Sequence, residues 1–213
     1  MSNFSKQEGI IILDNVIKAV QENKQYLSDI DGMIADGDHG VNMNKGFTLC
    51  REDLDKNPGD LVYGLNLLSR VLMMKIGGSM GPLYGKLFKG ISATLAESDT
   101  IDARTWGYAL EAAKASIESI SQAKPGDKTL VDALFPAVEA YNKALSEGKD
   151  FASALASMKE AAEAGRDATE DMVAKIGRSS RLGERSKGVI DAGAASCALI
   201  MATMADSITE LIK

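Results

Sequence analysis

Ile10-Ile11-Ile12-Leu13-Asp14-Asn15-Val16-Ile17-Lys18-Ala19-Val20 places Ile10, Leu13, Ile17 and Val20 on one side of a helix, at alternating steps of three and four residues. An amphipathic helix over roughly residues 5–27 follows, ending just before a group of aspartates. Outward from it the same period recurs at about 41–54, 60–76, 82–96, 103–120, 130–146, 151–168 and 192–212, which makes eight expected helices. Asp60, Asp102 and Asp150 each precede an apolar run and can accept from first-turn amides, and Pro82 suits a first turn because it has no amide hydrogen to leave unpaired. The alanine-rich stretch 152–168 keeps Leu155 and Met158 as a packing stripe, so it too reads as a helix.

Composition agrees. Of 213 residues 45% are apolar but only 5% aromatic, and Ala, Leu, Ile and Met outweigh β-branched runs, so an all-α protein is expected. No repeat of fixed period and no linker divides the chain, hence one domain over residues 1–213. A net charge of -6 argues against nucleic acid and anionic membranes, which are held by clustered Lys and Arg. No stretch reads as apolar for long enough to span a bilayer, and the N-terminus lacks a basic start and cleavage site, so a cytoplasmic location is expected. Cys50 and Cys197 lie in apolar-periodic stretches without metal-ligand spacing and read as core.

Chemistry concentrates in Asp31-Gly32-Met33-Ile34-Ala35-Asp36-Gly37-Asp38-His39-Gly40, between two expected helices. If the three carboxylates meet at about 5 Å, each pair repels by roughly 3 kcal/mol at an effective dielectric near 20. A hard divalent cation removes that conflict, and magnesium prefers a few carboxylates completed by water and phosphate oxygens. The same residues also read as a capped turn with two solvated aspartates. A calcium-binding helix-loop-helix pattern is not met, because its spacing and terminal Glu are absent. His39, the single histidine, reads equally as a ligand contact, a proton carrier, a phosphoryl acceptor or a structural hydrogen-bonding group. Asn42 lies one turn further on and can face the same space.

A second segment, Gly77-Gly78-Ser79-Met80-Gly81-Pro82-Leu83-Tyr84-Gly85, is a glycine-rich turn running into a helix, where amides and partial positive charge can meet phosphate. It lacks the Gly-Lys-Ser/Thr ending of a Walker loop and reads equally as a plain interhelical turn. Pro125-Gly126-Asp127-Lys128-Thr129 reads as a turn capped by Asp127 or Thr129. The longest irregular stretch, residues 177–191, carries three arginines, of which Arg178 can pair bidentately with phosphate; Asp191-Ala192-Gly193 then opens the last helix.

Taken together and in this order, the Ala35-Asp36-Gly37-Asp38-His39-Gly40 and Asn42-Met43-Asn44 run, Gly77-Gly78 with Gly81-Pro82-Leu83-Tyr84-Gly85, the Pro125 to Thr129 turn, and Gly177-Arg178 with Leu182-Gly183-Glu184-Arg185-Ser186 closely resemble the nucleotide-binding L subunits (DhaL) of bacterial dihydroxyacetone kinases. The resemblance implies a closed antiparallel barrel of about eight helices with the nucleotide site at one rim. It implies two magnesium ions on Asp31, Asp36 and Asp38, and nucleotide contacts at His39, Gly40, Val41, Asn42, Ser79, Met80, Leu130, Arg178, Asp191, Ala192 and Gly193. Ser121 falls where a further contact to the base is expected. The sequence departs from the family at Ala35, often Gly; at Met80, often Ser; and at Ala192, within what is commonly an Asp-Pro-Gly triplet.

The resemblance to separate L subunits further implies that ADP stays bound as a cofactor. It is converted to ATP by a phosphohistidine subunit (DhaM) of the phosphotransferase system and donates to dihydroxyacetone on a substrate subunit (DhaK). No base or nucleophile for that ketose stands out here, so the substrate is expected on a partner chain. Two other readings stay open: an ATP-dependent kinase half serving another substrate, and an ADP-binding module that docks onto a transcriptional regulator. Pairing into a homodimer is also left open.

Overall fold

The computed structural model describes residues 2–213, and among these the apolar period resolves into nine α-helices, two 3-10 segments and two short strands. The first expected helix is two. Asn23 stands between α1 (Ile10–Glu22) and α2 (Lys24–Ile34), with both its backbone N–H and its side-chain amide donating to the Ala19 carbonyl, at 3.1 and 2.9 Å. A side chain that takes over a helix carbonyl offers the backbone a way out of the helix. Asp31 therefore sits in the last turn of α2, not in a loop after α1.

After a short turn come α3 (His39–Lys56), α4 (Leu61–Lys75) and α5 (Met80–Ala96). Then follow α6 (Ala103–Glu118), α7 (Val131–Ser146), α8 (Phe151–Ala168) and α9 (Ala192–Leu211). Asp60, Asp102 and Asp150 cap α4, α6 and α8 as expected, each accepting at 2.8 Å from the amide three residues on. Residues 177–191, expected to be irregular, contain a 3-10 segment at Ser179–Ser186, broken at Gly183.

The expected closed antiparallel barrel of about eight helices is not what the chain forms. It is an all-α bundle, in which α1 packs on α4 as well as on α3 and α9, and α7 on α9 as well as on α6 and α8. One continuous cluster of buried side chains fills the middle, and Trp106, Tyr84, Tyr141 and Phe47 are its largest fully buried members. These bulky inward side chains belong to a single packed core in place of an open barrel interior. The sheet seen among the described residues is an open antiparallel pair, β1 (Asn3–Ser5) against β2 (Thr100–Asp102), with Phe4 opposite Ile101.

Contrary to the expectation from sequence, α9 is long and apolar enough to cross a membrane by length and composition. Its most apolar window has a mean hydropathy of 1.3, and 67% of that window is buried inside the bundle. The helix packs on α1, α2, α7 and α8. Buried helices are apolar on most faces because neighbours replace solvent. A smaller cluster of Leu27, Ile30, Ala192 and Ala195 joins α2 to the start of α9, which sets the aspartates beside the Asp191-Ala192-Gly193 turn.

Candidate nucleotide and metal site

The turn of residues 35–38 reverses the chain between α2 and α3, and Gly37 takes φ 74 to do so, a conformation that side chains disfavour. Asp38 stands at the N-cap of α3 without using its carboxylate as a cap, so that group stays available. The His39 amide donates to Asp31 Oδ2 at 3.3 Å and ties the two helix ends together. One carboxylate oxygen from each of Asp31, Asp36 and Asp38 lies within 4.8 Å of the others, Asp31 half-buried and the other two exposed.

Such crowding calls for a cation. A side chain partly supplies one: the Arg178 guanidinium forms an ion pair with Asp36 Oδ2, and its Nη1 lies 3.9 Å from Asp38 Oδ2. An all-oxygen, triply acidic set with an arginine drawn onto it fits a hard divalent cation.

These aspartates stand at the mouth of a cavity of about 510 Å³. On one side it is walled by His39 and Asn42 of α3, with Ser79 and Met80 at the start of α5. Ser121 and Leu130 line it from the connection between α6 and α7, Arg178 from the long loop, and Asp191, Ala192 and Gly193 from the start of α9. Of the residues singled out from sequence, Gly40 and Val41 do not line it. Gly40 is buried where α2 crosses α3, so close that a Cβ would collide with the Lys24 carbonyl and with Ser28, and Val41 is 48% exposed. Three helices, α3, α5 and α9, begin at the cavity, so their unpaired amides and partial positive charge favour an anion there.

Beneath the cavity runs a polar chain that sequence reasoning did not find. His39 Nε2 lies 2.8 Å from Ser196 Oγ, which lies 2.6 Å from the Tyr84 hydroxyl, and that hydroxyl also reaches the Gly193 carbonyl at 3.0 Å. Burial pulls His39 down to about 4 and pushes the Tyr84 phenol well above its ordinary value, so near neutral pH both are uncharged. A neutral imidazole fixed by Ser196 positions the start of α3 and is ill suited to hold a positive charge. Nothing in the sequence sets Ser196 apart from other serines of an apolar helix.

The Pro125 to Thr129 turn is held differently from the expectation. Asp132, inside α7, accepts from the amides of Gly126 at 2.5 Å and Thr129 at 2.7 Å, while Asp127 accepts from Lys124 N at 2.8 Å. Thr129 Oγ1 accepts only a long bond from Val131 N, at 3.3 Å.

The chain as a whole has counterparts among known proteins. Residues 33–206 match the model of the DAK2 domain. The chain belongs to the DAK2 (DhaL) family. It is 37% identical, over 94% of its own length and 96% of the relative's, to the PEP-dependent dihydroxyacetone kinase 1, ADP-binding subunit DhaL, of Listeria innocua. It is 33% identical to the D-erythrulose kinase of Mycolicibacterium smegmatis, where 92% of this chain covers 34% of that longer protein. Among solved structures, this DAK2 chain resembles the dihydroxyacetone kinase from C. freundii in complex with AMP-PNP and Mg2+. The TM-score is 0.68 at 23% identity, over 92% of this chain and 33% of that one, a likeness of fold.

Proposed function

We propose that this chain is a single nucleotide-binding domain serving as the ADP-binding, magnesium-dependent subunit of a cytoplasmic dihydroxyacetone kinase of the phosphotransferase-system type. The observation that carries this reading is the meeting of Asp31, Asp36 and Asp38 within 4.8 Å at the mouth of the cavity. The 96% coverage of an ADP-binding DhaL subunit supports the subunit role, and the AMP-PNP and Mg2+ in the C. freundii kinase support the ligand class.

When bound, the nucleotide and two magnesium ions on the aspartates would relay a phosphoryl group from a phosphohistidine subunit (DhaM) to dihydroxyacetone on a substrate subunit (DhaK), with the metals neutralising phosphate charge. The chain's own residues bind and orient. The amides at the starts of α5 and α9, at Ser79, Met80 and Gly193, line the cavity and would donate to phosphate oxygens, and Leu130 would offer an apolar wall for the base. Arg178, drawn onto Asp36, is free to turn to phosphate once the carboxylates hold metal. Asn42 can donate to the same anion.

The test is to purify the protein without added nucleotide, denature it, and quantify the nucleotide and metal released. About one ADP and two magnesium ions per chain are expected. Asp36→Asn should then abolish phosphoryl transfer from phosphoenolpyruvate and the carrier proteins. Full multiple turnover on ATP alone would favour instead an exchanging kinase half, the reading to which the match with D-erythrulose kinase points. Retained transfer by Asp36→Asn would remove the metal assignment.

A further inference from the structure

The loop of residues 172–190 leaves the bundle after the 3-10 turn Thr169–Asp171 and rejoins it at Asp191, with Ile176, Gly177, Arg178 and Ser179 on the cavity wall. Compact loops whose ends lie close together commonly carry function at the tip and are held at the base. Here the base converges on one buried cation. Lys128 Nζ donates to the carbonyls of Met172 at 3.2 Å, Ser186 at 2.6 Å and Val189 at 2.6 Å, so all three of its hydrogens are used and both feet of the loop are joined.

Lys128 is only 1% exposed and is the one non-glycine residue with positive φ among those described, at 63°. Asp132 holds it in that uncommon conformation through the flanking amides of Gly126 and Thr129. Two further bonds fasten the same base: Ala174 N donates to Ser186 Oγ at 2.9 Å, and Lys175 N to the Asp127 carbonyl at 3.1 Å. Burying an ammonium is unfavourable unless its donors are satisfied, and three charge-assisted bonds offset that cost. An arrangement of this kind on a loop that carries Arg178 has a consequence for the cavity.

We infer that Lys128 is a positioning residue that locks the loop of residues 172–190 against the cavity, and that through Arg178 it sets how slowly a bound nucleoside diphosphate leaves. This rests on the nucleotide reading above. The carbonyl cage is filled by three N–H donors, which an ammonium ion shares with the lysine head and a sodium ion lacks. With the side chain cut back, an ammonium ion from solution can take the place of Nζ.

Release of a fluorescent ADP analogue, with magnesium present, tests this in wild type and Lys128→Ala. In sodium buffer the variant should release nucleotide about tenfold faster or more, the loss of charged hydrogen bonds read as a rate. Ammonium should slow release in the variant and leave wild type unchanged. Arg178→Gln should speed release less in the Lys128→Ala background than alone. An unchanged release rate in Lys128→Ala, fast release that ammonium does not slow, or additive effects of the two substitutions would each overturn the inference.

If Lys128→Ala does not fold, reductive methylation of wild type read by mass spectrometry replaces it. Lys128 should label far more slowly than exposed Lys124 and Lys175, and more slowly still with ADP; equal labelling would sink the lock. Wild type that holds no ADP at all overturns the functional reading and the release claim together. Bound ADP with unaltered release overturns this inference alone.

Discussion

Asp191 caps α9, its Oδ2 accepting from Ala194 N at 2.8 Å, and burial pushes its carboxyl from an ordinary 3.8 to about 7. The folded chain thus holds this proton more tightly than the unfolded chain does. The stability it contributes is complete below the unfolded value and is lost as pH rises through about 7. Nucleotide-free protein should therefore melt at lower temperature as pH goes from about 5 to about 8, and Asp191→Asn, which keeps a capping oxygen, should flatten that slope. Equal slopes in scanning calorimetry would place the titration elsewhere. Residue by residue, the cavity wall was legible where helix phase could be guessed. His39 and Asn42 share a face of α3, as their spacing implied, whereas Gly40 and Val41 fall one and two steps of about 100° away and point off the cavity. A run of residues named together by resemblance cannot show that turn. Lys128 was legible as part of a turn but not as a cation clamp, because its three carbonyl partners lie 44 to 61 residues further along the chain.

Between elements, small residues and missing hydrogen bonds decide how closely helices approach. Pro136 inside α7 has no amide to give to the Asp132 carbonyl, and Gly165 of α8 lies against that same oxygen, where a Cβ would collide with it. The pair brings α8 onto the start of α7, the helix whose Asp132 also holds the Lys128 turn. Gly165→Ala should destabilise the protein by roughly 1–3 kcal/mol, since backbone must shift to admit the methyl. Urea denaturation would show this as an earlier midpoint with unchanged slope, and an unchanged midpoint would mean the two helices separate freely. Helix caps at Asp60, Asp102 and Asp150 were readable because their partners are three residues away. The break at Asn23 was not, since apolar residues continue in phase through Val20 and Leu27 and only the side chain's choice of the Ala19 carbonyl ends α1. The 3-10 segment Ser179–Ser186 lacks an apolar stripe for the same reason that it is short: it is held by local bonds and the Lys128 clamp, not by core packing.

For the whole molecule, helix class followed from composition and period, but the way the helices close around a core depends on which bulky side chains face inward, and resemblance to a barrel did not supply that. The filled bundle has an energetic consequence at the cavity that holds the three aspartates. Without metal, Asp31, Asp36 and Asp38 repel one another and lean on Arg178, so the folded state carries a penalty that binding removes. A ligand that binds only the folded chain stabilises it by RT ln(1 + [L]/Kd), about 2.7 kcal/mol at a hundredfold excess over Kd. For a chain of this size each kcal/mol moves the melting temperature by about 2–4 °C, so ADP with magnesium at that excess should raise it by roughly 5–10 °C. Because the phosphates and carboxylates need the metal to coexist, ADP with a chelator should give little of that rise, and Asp36→Asn should lose most of it even with magnesium. A full shift in the presence of chelator would mean that the helix starts and Arg178 alone hold the nucleotide, and that the aspartates serve some other purpose.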